Sequence, residues 1–127
     1  MWTYDQSSGE LRNAKGEVVS RGYSGKDRGK NNPKLQDLVG LGPIPRGRWK
    51  MTAVYNSKNV GPFAIRLEAV DATPGDDRHD ETGRGAFRIH GDSIRAPGTA
   101  SRGCIILPRI VRERLWNSRD REIEVVA

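Results

Sequence analysis

Two side chains in this sequence could together break and make an acyl bond: the sole cysteine, Cys104, and His90, one of only two histidines. They stand 104 − 90 = 14 positions apart within FRIHGDSIRAPGTASRGCIIL. The thiolate, not the thiol, is the nucleophile, and forming it near neutral pH takes a proton acceptor and a positive local field. The imidazole would supply the first, and Arg102 adds charge beside the sulfur. Gly103 lets the backbone turn sharply before Cys104 and lets a carbonyl approach the local amides with no side chain in the way. The same residues also fit a plainer reading. A cysteine before Ile-Ile-Leu is often a small buried apolar residue, and His-Gly-Asp-Ser can be an ordinary strand end.

Such a pair needs a rigid frame. MWTYDQ, ELRNA and EVVSRGYSG, separated by SSG and AKG, read as strands joined by tight turns. Asn31, Asn32 and Pro33 can start a brief helix through KLQDL, which Gly40, Gly42, Pro43 and Pro45 forbid from continuing. RWKMTAVYN and PFAIRLEAV are the clearest strand candidates and are expected to pair. Residues 71–84 read as a long exposed acidic loop. In GAFRIH, strand alternation puts Phe87 and Ile89 on one face and Arg88 and His90 on the other, so the imidazole would be held by a fixed backbone. CIILP reads as a buried strand or turn. In PRIVRERLWNS, Pro108 takes the first helical position, Leu107, Val111 and Leu115 form the apolar stripe, and Arg109, Arg112 and Glu113 stay wet. REIEVVA closes the chain as a strand with Ile123 and Val125 inward. The sum is one mainly β domain over residues 1–127, its sheet closed or sandwiched, with one substantial helix after Cys104.

Composition narrows the partners. The formal net charge of +6 and pI near 9.9 favour anionic partners such as nucleic acid, lipid head groups or cell-wall polymers. Aromatic residues are not interleaved with the basic ones as base stacking requires, so a nucleic-acid partner is not expected. No apolar run approaches the roughly 20 residues that span a bilayer, so membrane insertion is not expected either. MWTYDQSSGELR has neither the basic nor the apolar region of a secretory signal. The chain is expected to be made in the cytoplasm and, if it acts elsewhere, to be carried by something other than that segment. No cofactor is expected, since no Gly-rich phosphate loop precedes a helix. His79 beside Asp76, Asp77, Asp80 and Glu81 lacks the ligand spacing of a zinc or calcium site, so no metal is expected.

IHGDS followed by ASRGCIIL resembles the signature of the L,D-transpeptidase catalytic domain family, in which a strand-borne His-Gly precedes a Ser-X-Gly-Cys-Ile segment leading into a helix. GPIPRGRWKM is similar to that family's Pro- and Gly-rich lead into a strand, so the likeness runs from Gly42 to Trp116. It implies an L,D-transpeptidase-like β-sandwich or barrel with Cys104 as nucleophile and His90 as general base. It further implies that the Gly91 carbonyl orients the imidazole and that the Gly103 and Cys104 amides hold the oxyanion. Ser101 would fix the turn or bond substrate, and Asp92 and Ser93 would line the mouth or cap the loop. Many members carry Ser-His-Gly-Cys and an arginine two places after the nucleophile, where this chain has Arg102 and Ile106. Arg102, Arg88 and Arg95 are the candidates for that arginine's place. The short loop looks most like the compact subgroup delivered by type VI secretion systems as antibacterial effectors. That resemblance implies action in a target cell's periplasm on peptidoglycan stem peptides, at the bond joining meso-diaminopimelate to terminal D-Ala, with hydrolysis, D-amino-acid exchange and cross-linking as alternative outcomes. Its partners would be secretion machinery and an immunity protein. A non-catalytic cationic binding module, or a cysteine peptidase or acyltransferase on another substrate, are the competing readings.

Overall fold

The computed structural model describes residues 1–73, 75 and 78–127, and Asp76 and Asp77 of the acidic segment lie outside it. Among the described residues nine strands form one mixed sheet: β1 (Trp2–Asp5), β2 (Glu10–Arg12), β3 (Val18–Arg21), β4 (Tyr23–Ser24), β5 (Gly47–Ser57), β6 (Gly61–Ala69), β7 (Arg88–His90), β8 (Ile105–Ile106) and β9 (Glu122–Val126). The one α-helix among the described residues, α1 (Arg109–Asn117), follows β8. The protein is therefore mainly β, as its strand alternation implies.

The order across the sheet is β3-β2-β1-β9-β5-β6-β7-β8-β4. Its two outer strands, β3 and β4, are separated in sequence by Gly22 alone. One continuous run of chain thus pairs with β2 on one side and β8 on the other, and the sheet closes on itself like a barrel. Such closure removes the open edges that invite intermolecular pairing. At the joint three backbones nearly touch. The Gly22 N–H donates to Gly9 O at 2.8 Å, and a Cβ on Gly22 would stand 1.8 Å from Ile106 O.

Alternation fills the interior. Trp2 and Tyr4 on β1 lie beside Ile123 and Val125 on β9 in parallel register, and Trp49, Ile65, Ile89 and Ile105 continue the apolar layer across β5 to β8. The long β5–β6 hairpin pairs antiparallel as expected, and the brief helix expected after Asn32 is a 3-10 turn, Pro33–Leu35. The α1 stripe of Val111 and Leu115 caps this core together with Leu107. Pro108 serves as N-cap rather than first helical residue, one position earlier than the sequence suggests.

Arg112 is a correction. It is buried, not wet, because three backbone carbonyls replace its water: Nε donates to Phe63 O at 3.0 Å, Nη1 to Leu107 O at 2.5 Å and Nη2 to Pro62 O at 3.2 Å. His79 is a second. Far from lying in a solvated loop, it is buried, stacked on Trp49 with ring centroids 5.7 Å apart, and bonded to Thr82 Oγ1 and Arg46 O. Among the described residues no cluster of His, Cys, Asp or Glu could hold a metal, and no helix is long and apolar enough to cross a membrane.

Gly22→Ala is expected to lose about 3 kcal/mol of stability in urea titration, since backbone cannot retreat from the new methyl. Gly16→Ala, at φ +81 but with open space around it, should lose only about 1 kcal/mol.

Candidate functional site

The site is built where β7 and β8 run parallel, with Ile89 opposite Ile105 and His90 opposite Ile106. Ile89 and Ile105 point into the core. His90 belongs to the other face, where it borders a cavity of about 910 Å³ that also touches Tyr23, Gly91, Arg95, Arg109 and Arg112.

The imidazole is oriented by backbone. His90 Nδ1 lies 2.8 Å from Gly91 O, and a carbonyl can only accept, so Nδ1 carries the proton and Nε2 keeps its lone pair. Burial lowers the ring's pKa below its ordinary value; the Gly91 carbonyl opposes this, while the Arg112 and Arg88 charges add to it. The shift favours the neutral ring, whose Nε2 lone pair is left to accept a proton. Space at Gly91 is tight as well: a Cβ there would meet the Arg112 guanidinium at 3.1 Å, so that the guanidinium would have to shift by a few tenths of an ångström.

Cys104 sits one step before β8 and therefore across from Arg88. Its half-buried sulfur lies 3.9 Å from Ala86 O and borders a second hollow, of about 440 Å³, with Arg84, Phe87, Arg102 and Gly103. Burial pushes the thiol pKa up, against the opposing pull of the Arg88 amide and the Arg88 and Arg84 charges. Among the described residues no hydrogen bond joins sulfur to imidazole, and the two groups face separate hollows two residues apart along one ladder. Thiol up and imidazole down together favour the uncharged pair over a standing thiolate–imidazolium pair.

The turn that delivers Cys104 is fixed by Ser101, which is fully buried. Its Oγ accepts from Gly25 N at 2.9 Å and Gly103 N at 3.1 Å and donates to Cys104 O at 2.6 Å. Ser101 is thus a turn residue, and the Gly103 amide is already occupied. Gly103 has φ +139 and lies so close to Arg84 Nη2 that a Cβ would stand 2.6 Å from it.

Asp92 and Ser93 cap the loop. Asp92 Oδ1 accepts from Tyr23 Oη at 2.5 Å, from Ser93 N and from Gly98 N, while Ser93 Oγ accepts from Ala96 N at 3.0 Å. Tyr23 Oη in turn accepts from Ala100 N at 2.9 Å. Burial and the Asp92 carboxylate push the Tyr23 hydroxyl up to about 12, so it remains a donor. Of the three candidate arginines, Arg88 donates to Tyr55 Oη and Ala86 O, Arg102 is exposed beside the cysteine hollow, and Arg95 is exposed beside the histidine cavity. Sequence reasoning missed Tyr23, Arg84 and Arg112. The first belongs to a weakly alternating strand, and the two arginines read as surface charge.

The Tlde1 domain family matches residues 19–126. No curated protein matches the sequence.

Two outcomes follow. With a folded-state pKa below the unfolded value near 6.5, His90 lets the unfolded chain take up its proton first as pH falls. Stability present above pH 6.5 is therefore lost below it, at up to about 1.4 kcal/mol per pH unit. Denaturant titrations from pH 8 to 5 should show this fall, and His90→Gln should flatten it. Tyr23→Phe should release the 91–100 loop, read as loss of hydrogen-exchange protection at the Ala100 amide with the β5–β6 amides unchanged.

Proposed function

Because the chain belongs to the Tlde1 domain family, a type VI secretion effector family, we propose that it is a cysteine enzyme that trims peptidoglycan stems in the periplasm of a target cell. The observation that carries this reading is the tethering of His90 Nδ1 to Gly91 O. It leaves Nε2 as a free base on the strand paired with the one that follows the only thiol of the chain.

Cys104 and His90 lie diagonally across adjacent strands, at a backbone separation of about 8 Å given usual strand spacing and rise. Rotation about the Cys104 Cα–Cβ bond would swing the sulfur from Ala86 O toward the imidazole. Nε2 then takes the thiol proton as sulfur attacks the carbonyl joining meso-diaminopimelate to terminal D-Ala. With the Gly103 amide occupied, the Cys104 amide is the donor proposed for the tetrahedral oxygen. Collapse breaks the C–N bond, the imidazolium returns its proton to the departing amine, and a thioester remains on Cys104. Water activated by His90 releases the tripeptide and restores the thiol, while the amine of a D-amino acid gives exchange instead.

The stem would lie in the His90 cavity. Arg95 and Arg109 on its wall are the cations proposed to meet the stem's carboxylates, in place of the arginine that Ile106 displaces, since Arg112 is committed to carbonyls. Partners implied by this role are the secretion machinery and an immunity protein.

Purified protein incubated with tetrapeptide muropeptides should yield tripeptide, or exchanged stems when D-amino acid is added. Cys104→Ala and His90→Ala should each lower the rate about a thousandfold or more, and Arg95→Ala should raise KM several-fold with kcat nearly kept. Equal product from wild type and Cys104→Ala would refute the reading.

A further inference from the structure

Arg84 is an arginine buried without a carboxylate. Only 5% of it is exposed, and its guanidinium donates to four backbone carbonyls: Nη1 to Gln36 O at 2.5 Å and Pro43 O at 2.8 Å, Nη2 to Gly42 O at 3.1 Å and Arg102 O at 3.3 Å. Its cationic carbon lies 5.0 Å from the centre of the Phe87 ring. No ion pair within 4 Å involves it among the described residues, and Asp37 is the carboxylate whose charge acts on it. Such a cation is expensive to bury, and carbonyl dipoles offset that cost without cancelling its charge.

Its placement links that charge to the sulfur. Arg84 lines the same hollow as Cys104, packs against Gly103, and ties the Arg102 carbonyl to the 36–43 segment. We propose that Arg84 is a positioning residue for Cys104: its fork clamps the turn before the nucleophile, and its fixed positive charge stabilises the thiolate when the proton leaves. The inference rests on Cys104 being the nucleophile, but its test needs no stem substrate.

Other charges face the sulfur. Arg88 lies on β7, and Arg78 and Arg102 border the hollow; His90 lies along the same ladder. None of these charges is removed when Arg84 is changed. With one cysteine in the chain, iodoacetamide alkylation followed by mass spectrometry from pH 6.5 to 9.5 reads Cys104 alone. Below the thiol pKa the rate scales with the thiolate fraction, so losing one neighbouring positive charge, roughly one pKa unit, slows alkylation about tenfold at fixed pH.

Arg84→Gln is expected to show this slowing and an upward-shifted profile, with circular dichroism unchanged. Arg84→Lys, which keeps the charge and cannot span four carbonyls, should stay within about threefold of wild type while melting at lower temperature. A purely structural arginine gives the opposite sign, because loosening exposes the thiol and speeds alkylation. An unchanged or faster Arg84→Gln therefore overturns the proposal. Should Arg84→Gln fail to fold, Arg84→Lys decides: a rate near wild type supports the charge role, and a rise toward that of the urea-unfolded chain refutes it.

Discussion

The parallel pairing of β7 with β8 is the constraint on which the site depends. Antiparallel neighbours can be joined by two residues, whereas a parallel pair must carry its chain back along the sheet, usually through a helix. Here residues 91–104 make that return without one. Every bend must then find polar partners of its own, and the distribution of Asp92, Ser93, Ser101 and Tyr23 follows from this need. The same return sets Cys104 across from Arg88 and within two residues of His90. β4 covers the outer edge of β8, so closure at Gly22 and placement of the thiol are parts of one arrangement.

Electrostatics then decides what kind of pair this is. Where a thiolate stands ready beside an imidazolium, a strongly positive, partly wet setting is required. In this protein burial outweighs the neighbouring arginines at the sulfur and lowers the basicity of the ring. Both shifts favour the uncharged groups, and in the proposed reaction ionisation would be deferred to the encounter with a carbonyl. Fixed cations at Arg84, Arg88 and Arg112 would be useful in that proposed scheme, since they would act most strongly on the negative charge that appears last.

Much of this was legible beforehand. Alternation separated Phe87 and Ile89 from Arg88 and His90, placed Ile123 and Val125 inward, and paired β5 with β6. The 3.6-residue period found α1 and its Val111–Leu115 stripe. What escaped were residues whose environment comes from distant backbone. Arg112 looks wet because no local pattern announces Pro62 and Phe63, His79 looks solvated because its partner, Arg46, is far upstream in the chain, and Arg84 looks like one more surface charge. Composition measures the cost of burying such groups but does not reveal the carbonyls that offset it. The parallel β1–β9 contact and the joining of β3 to β4 through a single glycine are likewise products of ring closure, which nearest-neighbour signals do not carry.

The excess positive charge acquires a different meaning in this light. Ion pairs within 4 Å among the described residues involve Arg12, Arg21, Arg48, Arg109 and the N-terminus; of these Arg21 and Arg109 line the His90 cavity and the others line neither hollow. Arg84, Arg88 and Arg112 instead sit around the β7–β8 pair and are held by carbonyls and a tyrosine hydroxyl. A surface evolved for nucleic acid would present its cations outward to phosphates. Cations turned inward cannot grip a polyanion; they can only bias the charge states of the groups they surround. Part of the positive charge behind the +6 balance is therefore held inside the fold around the β7–β8 pair by carbonyls and a hydroxyl.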